Sequence, residues 1–351
     1  MGMKGMLDME KTLQELADFV KGSIVQGDPS MVLKGVNGLE EAKPDQISFA
    51  VPPYLELAPM SHAGAIMIPR GAEFKGGQAV IAVENPRAAF AGLLTLFRPP
   101  EEVKGGISKF AFIHPTAKIG KNVAILPFAY IAEDSEIGDD TVIYPHAYVG
   151  RHVKVGKGCT LYSNTTIREN CVLGDRVILQ PGCVIGGDGF GYITANGKHT
   201  KVLQIGNVVL SDDVEVGCNS CIDRATVDST IVGKGTKIDN LVHLGHNDII
   251  GENCIIVAHV GISGSVTVGN NCTFGGQAAT AGHLKIGNNC TFAGRTGIIS
   301  DVGDNVVMAG FPAQSHVEWL RMMANQRKLG DLVKKVRKLE KQLAALQTDE
   351  K

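Results

Sequence analysis

An isoleucine, valine or leucine returns at nearly every sixth position over most of this chain. From Ile113 the series runs through Ile119, Ile125, Ile131, Ile137, Ile143, Val149, Val155, Leu161, Ile167, Leu173 and Leu179 to Ile185. It resumes as Leu210, Val216 and Ile222, slips by four residues, and continues from Val232 to Ile298 with Phe274, Thr280 and Phe292 in three of the slots. A period of six matches neither the 3.6 of a helix nor the two of a lone strand. It predicts a parallel β-helix in which each hexapeptide makes one flat face and a turn. Three hexapeptides close a triangular coil, and the residue two places before each aliphatic is small because it also turns inward. With strands about 4.8 Å apart, about nine coils give a prism about 45 Å tall. Its two open ends need caps.

Residues 1–108 lack the period. Met9 to Val25, with Leu13, Leu16, Ala17, Phe19 and Val20, reads as an amphipathic helix. Gln46–Val51, Ala63–Ile68 and Gln78–Val83 read as strands, Pro86–Leu96 as a second helix, and Arg98-Pro99-Pro100 as the start of a linker. This is a small α/β domain. A loop from 187 to about 204, containing Gly187-Asp188-Gly189-Phe190-Gly191-Tyr192, interrupts the solenoid between 109 and 312. It lies in no βαβ unit, so a structural or substrate-wall role fits it better than a nucleotide cradle. In 313–351, Leu329, Leu332, Val336, Leu339, Leu343 and Leu346 alternate spacings of three and four, a heptad seam on a helix suited to packing across a symmetry axis. The basic run Arg321, Arg327, Lys328, Lys334, Lys335, Arg337, Lys338 and Lys341 fits either a solvated face or an acidic partner. The expected class is therefore mainly β, a parallel β-helix with an N-terminal small α/β domain and C-terminal α-helices.

Composition narrows this further. Forty-three glycines and few aromatics suit a turn-rich solenoid, and a net charge of −2 speaks against a general nucleic-acid binder. No apolar run reaches membrane-spanning length and the Met-Gly-Met-Lys start lacks a signal-peptide core, so a cytoplasmic protein without a transmembrane segment is expected. Of the eight cysteines, Cys159, Cys171, Cys183, Cys254, Cys272 and Cys290 occupy the small inward slot, where a thiol acts as a small hydrophobe. Cys218 and Cys221 form a CxxC with no second pair at zinc spacing, so no metal site is expected.

The register also sorts the histidines. His146, His152, His259 and His283 fall at the fourth position of their hexapeptides, near corners. His246 falls at the third, and Gly264 lies eighteen residues on, hence one coil away and about 5 Å distant. A histidine beside a bare backbone N–H suits a general base next to an oxyanion donor, though solenoid surfaces carry many histidines.

The segments Val184-Ile185-Gly186-Gly187-Asp188-Gly189-Phe190-Gly191-Tyr192, Ile222-Asp223-Arg224-Ala225-Thr226, Ile238-Asp239-Asn240 through Gly245-His246-Asn247, and Ala281-Gly282-His283 follow one another in an order and spacing that identify a family. Over essentially its whole length the chain resembles the UDP-3-O-(3-hydroxyacyl)glucosamine N-acyltransferases of lipid A synthesis. The resemblance implies left-handed coiling, although the general crossover rule favours the opposite hand. It implies His246 as catalytic base, Gly264 as the N–H donor to the thioester oxygen, and His283 and Asn240 as substrate contacts. It also implies Phe49 and Tyr54 as the aromatics around a uracil ring. Here the chain departs from the family, since Phe49-Ala50-Val51-Pro52-Pro53-Tyr54 lacks the usual Asn and one residue of spacing. Acyl carrier protein as donor, a UDP-sugar as acceptor and a homotrimer with shared sites are implied as well, with no cofactor, metal or covalent intermediate. The rival readings are an O-acyltransferase acting on UDP-N-acetylglucosamine, a metal-dependent hydratase drawing on His243, His246, His259 and His283, and a scaffold.

Overall fold

The computed structural model describes residues 10–98, 103–310 and 316–349, apart from the side chains of 316, 319 and 343–349. The chain divides into two compact units, Met1–Glu102 and Val103–Lys351.

In the first unit, helix Leu13–Phe19 starts from a capping box. Thr12 Oγ1 accepts the Glu15 N–H at 3.2 Å and Glu15 Oε2 accepts the Thr12 N–H at 2.8 Å, so two of the helix's orphan donors are satisfied. Met9 lies outside the described residues. The expected run to Val25 is corrected: the helix ends at Phe19, and Ser23–Gln26 is a strand antiparallel to Ala79–Val83. Gly22 is the break, because a Cβ there would stand 2.5 Å from Ile81 Cγ2. Phe19, Val20 and Ile24 fit a helical stripe, yet tertiary pairing outweighs so short a pattern. Three of the anticipated elements are strands Gln46–Phe49, Ala65–Pro69 and Ala79–Val83, and helix Pro86–Phe97 comes next, capped by Asn85. With Gly35–Val36 and Ser23–Gln26 they make a five-stranded sheet. One of its faces packs Ile47, Met67 and Ile81 with Leu13, Leu16 and Leu93. Of the linker, residues 99–102 lie outside the described residues.

The second unit is a parallel β-solenoid. Its two-residue rungs stack into three sheets of nine, eleven and ten strands. Neighbouring rungs align at the predicted spacing, for example Ile125 with Ile143 and Leu244 with Ile262. The periodic aliphatics form one continuous buried core. Most corners carry an Asn, Asp or His with φ between 53° and 66°, residue types that tolerate the left-handed region. The prism extends past both ends of the run read from Ile113 to Ile298. Rung Gly106–Ile107 pairs with Ala124–Ile125 ahead of position 109, and Val307–Met308 closes the other end after a shortened step at Val302.

The six inward cysteines are fully buried. Cys254, Cys272 and Cys290 lie in one column, each donating its S–H to a carbonyl of the next coil (Gly269, Gly287 and Gly303). Burial pushes the Cys159 thiol up to about 11 and Cys183 up to about 12, which keeps them protonated and inert. Cys218 and Cys221 are free thiols, and among the described residues no His, Cys, Asp and Glu side chains gather as a metal site would require. Helix His316–Asp349 is one 34-residue element, with Leu329, Leu332, Val336 and Leu339 of the anticipated seam exposed; the Leu343 and Leu346 side chains lie outside the described residues.

Candidate active site

One corner of the prism gathers the chemistry. After rung His243–Leu244 the chain turns through Gly245, His246 and Asn247; one coil on, after Gly261–Ile262, it turns through Ser263, Gly264 and Ser265. The His246 ring lies directly over Gly264. A Cβ on that glycine would be 2.7 Å from His246 Nε2 and 2.8 Å from Cε1, so a larger residue there would have to push the ring aside.

The Gly264 N–H is left free by its neighbour in the next coil. On another edge of the prism the equivalent N–H groups are taken by an Asp or Asn one coil further on, as Lys157 N is by Asp175 Oδ1 and Glu252 N by Asn270 Oδ1, each at 2.8 Å. Here the residue one coil on is Gly282, which has no side chain. Among the described residues no acceptor takes the Gly264 N–H.

Asn247 fixes the imidazole. Its Oδ1 accepts the Thr226 N–H at 3.0 Å and its Nδ2 donates to the Val227 carbonyl at 2.9 Å, so the amide has one orientation. His246 Nδ1, 3.2 Å from that same Oδ1, must therefore carry the proton. Nε2 is left unprotonated, on a ring that stands over Gly264. An arrangement of this kind can accept a proton and stabilise a developing oxyanion at one point.

The Gly-rich excursion forms the wall. Instead of an open loop, it extends strand Val184–Asp188 and then folds a hairpin of Tyr192–Ala195 with Lys198–Lys201. The buried Arg224 side chain anchors its root, donating from Nε to the Gly186 carbonyl at 2.7 Å and pairing through Nη1 with Glu169 at 2.8 Å. Asp188 pairs with Lys201 and, at 3.0 Å, with Arg168; these cations hold its carboxyl below the usual range. Gly189 brings backbone against the His246 corner, since a Cβ there would meet His246 Cβ at 2.6 Å. A pocket of about 260 Å³ results, with Phe190, Asp223, His243, His246 and Gly264 among its walls.

Of the residues anticipated from sequence, His246 and Gly264 come together. His283 stands at the same edge, its N–H donating to the Gly264 carbonyl at 3.2 Å, but its side chain is not among the pocket's walls. Asn240 is elsewhere: it comes after rung Lys237–Ile238 in a different sheet, and its Oδ1 caps the Cys218 N–H at 2.7 Å. Phe49 and Tyr54 share a separate pocket of about 750 Å³ in the first unit, also lined by His62 and Arg87. Phe49 rests against Phe90 with ring centroids 4.9 Å apart, while Tyr54 is mostly exposed. Asp223 escaped the sequence reading as a site residue, although it stood in a recognised segment, and His243 entered only through the rival metal-dependent reading.

The family model described as UDP-3-O-(3-hydroxymyristoyl) glucosamine N-acyltransferase, LpxD, matches residues 30–96, and bacterial transferase hexapeptide repeats match 116–151 and 152–187. A UDP-3-O-acylglucosamine N-acyltransferase of Syntrophus aciditrophicus is 47% identical over 341 residues, covering 97% of this chain and 94% of that one. The enzyme of that name from a Geobacter species is 47% identical over 340 residues (97% and 98%), and one from Anaeromyxobacter dehalogenans is 41% identical over 345 (96% and 97%). Among solved structures, an Arabidopsis UDP-N-acetylglucosamine acyltransferase matches at 22% identity with a TM-score of 0.49, over 58% of this chain and 71% of that one. Likeness at this level, held from the α/β domain through the last coils, means that the chain belongs to the UDP-3-O-acylglucosamine N-acyltransferases, a family of acyltransferase enzymes of lipid A biosynthesis.

Proposed function

We propose that the protein moves a 3-hydroxyacyl group from acyl carrier protein to the 2-amine of UDP-3-O-(3-hydroxyacyl)glucosamine, with His246 as general base. The observation that carries this reading is the His246 ring, with Nε2 unprotonated, standing over Gly264, whose N–H has no acceptor among the described residues. The amine attacks the thioester carbon while Nε2 takes its proton, and the carbonyl oxygen, now negative, accepts the Gly264 N–H. Collapse of the tetrahedral intermediate expels the thiolate, which recovers the proton from the imidazolium. No covalent enzyme intermediate and no cofactor enters this sequence.

Position suggests the remaining roles. Phe49 and Tyr54 face one pocket and hold the uracil ring, an apolar slot with a polar rim. His283, on the edge beyond Gly264, contacts substrate rather than acting as base. Asn240 lies on another edge, so it reaches substrate only when a second copy presents it, which the homotrimer supplies. The basic helix His316–Asp349 suits acyl carrier protein, a small acidic partner, and the reaction takes place in the cytoplasm.

The test is acceptor choice. Purified protein is given 3-hydroxyacyl-acyl carrier protein and either UDP-3-O-acylglucosamine or UDP-N-acetylglucosamine. Acylation of the first at the 2-amine supports the proposal; acylation of the second alone assigns an O-acyltransferase.

A further inference from the structure

The pocket holds a carboxylate that the acyl-transfer steps above leave unused. Asp223 comes directly after the buried Ile222 on strand Cys221–Arg224, and its side chain is 13% exposed. Among the described residues, none donates a hydrogen bond to it. Its nearest titratable neighbour is His243, with Nε2 3.8 Å from Asp223 Oδ2, too far for a hydrogen bond. The groups that act on it electrostatically are His243, His246 and Asp188. Asp188 is already committed to Arg168 and Lys201. Burial, the largest influence, raises the Asp223 carboxyl above its usual range, as it does for a carboxylate short of donors. The region around it is otherwise well satisfied: Arg224, the next residue, has its guanidinium bonded to Glu169 and Gly186. A largely buried, donor-poor carboxylate on a pocket wall is costly unless a ligand supplies the missing donors.

The proposed substrate has such a donor. An amine of its type carries an extra proton in much of its population at neutral pH, and an ammonium ion cannot attack a thioester. Two protons must leave the nitrogen, and His246 accounts for one. We infer that Asp223 binds the glucosamine 2-amine as its ammonium ion and that His243 takes the first proton. The inference rests on the acyl-transfer reading above. His243 suits that step because its side chain is about half exposed, at 51%, and can pass the proton to solvent. The sequence balances: the ammonium N–H bond breaks toward His243, leaving a neutral amine with its lone pair free. The amine then forms the C–N bond while His246 takes the second proton, which leaves with the thiol. One proton per turnover reaches water. Asp223 is thus a substrate-binding residue that selects an amine at this position over a hydroxyl, since the neutral sugar analogue can donate a hydrogen bond but brings no charge to pair with it.

The test compares two ligands on each variant of the full-length protein, so that a general loss of folding cancels. UDP-3-O-acylglucosamine and its 2-hydroxyl counterpart, UDP-3-O-acylglucose, are titrated calorimetrically into wild type, Asp223→Asn and His243→Gln. Wild type should favour the amine, and Asp223→Asn should shrink that preference roughly tenfold, as expected when one partner of a partly buried charge pair is neutralised. His243→Gln should keep the preference but lower kcat for transfer. An Asp223→Asn protein whose amine-to-hydroxyl preference equals wild type overturns the role of Asp223, and an unchanged kcat in His243→Gln overturns that of His243. If wild type binds neither ligand, the parent reading itself fails, a result distinct from both.

Discussion

Asn247 Oδ1 lies 3.2 Å from His246 Nδ1 while also accepting the Thr226 N–H at 3.0 Å. The pair sets which ring nitrogen is protonated, and that choice determines whether the corner can act as a base. Asn247→Asp keeps an acceptor at Nδ1 but adds a negative charge that favours the imidazolium. The acid limb of the kcat–pH profile should move up by about one unit. An unmoved limb would detach Asn247 from the titrating group.

Gly264→Ala would push a methyl into the space of the His246 ring, with 2.7 Å to Nε2. Because both partners of the proposed chemistry are displaced, kcat should fall roughly a hundredfold or more, comparable to losing an oxyanion donor. Circular dichroism and the melting temperature should change little, since the corner is at the prism surface.

Gly282→Asp offers a more pointed test. It would place a carboxylate one coil beyond Gly264, as Asp175 stands beyond Lys157. The new side chain should claim the Gly264 N–H and abolish turnover without loss of stability. Retained activity with an unchanged melting temperature would mean that this N–H is not needed.

Asp248 predicts how stability responds to pH. The residue occupies an inward slot, with Oδ1 accepting the Val266 N–H at 2.9 Å and Oδ2 unpaired. Burial raises its carboxyl from 3.8 to about 8. Since the folded value is the higher one, the folded state retains a proton that the unfolded chain gives up. Its stabilising effect is complete below 3.8 and is lost as pH climbs toward about 8, at up to about 1.4 kcal/mol per unit. Melting temperatures measured from pH 5 to 9 should therefore decline for wild type and decline less for Asp248→Asn.

The solenoid was legible because its geometry is arithmetic. A coil of eighteen residues turns sequence spacing into distance, so His246 and Gly264 could be brought together without coordinates. The same arithmetic fails where the chain departs from eighteen. Cys221 faces His243 across twenty-two residues, and Ile185 faces Ile222 across the hairpin, so Asp223 and the Gly189 contact lay beyond reach. Ile107 keeps the period but sits beside the linker, and the shortened step after Ile298 hides the last rung. Asn240, carried over from the resemblance, follows a rung in a different sheet from that of His246, so spacing alone says nothing of its proposed substrate contact, which depends on a second copy.

The central claim is that the His246 corner performs the transfer. Its most direct test is kcat/KM for 3-hydroxyacyl transfer to UDP-3-O-acylglucosamine, in wild type and in His246→Ala, with secondary structure and oligomeric state checked alongside. The account predicts robust wild-type turnover and a loss of at least roughly a hundredfold in an otherwise intact variant. Turnover within a few-fold of wild type in His246→Ala would contradict it and move the base to another residue, His283 first.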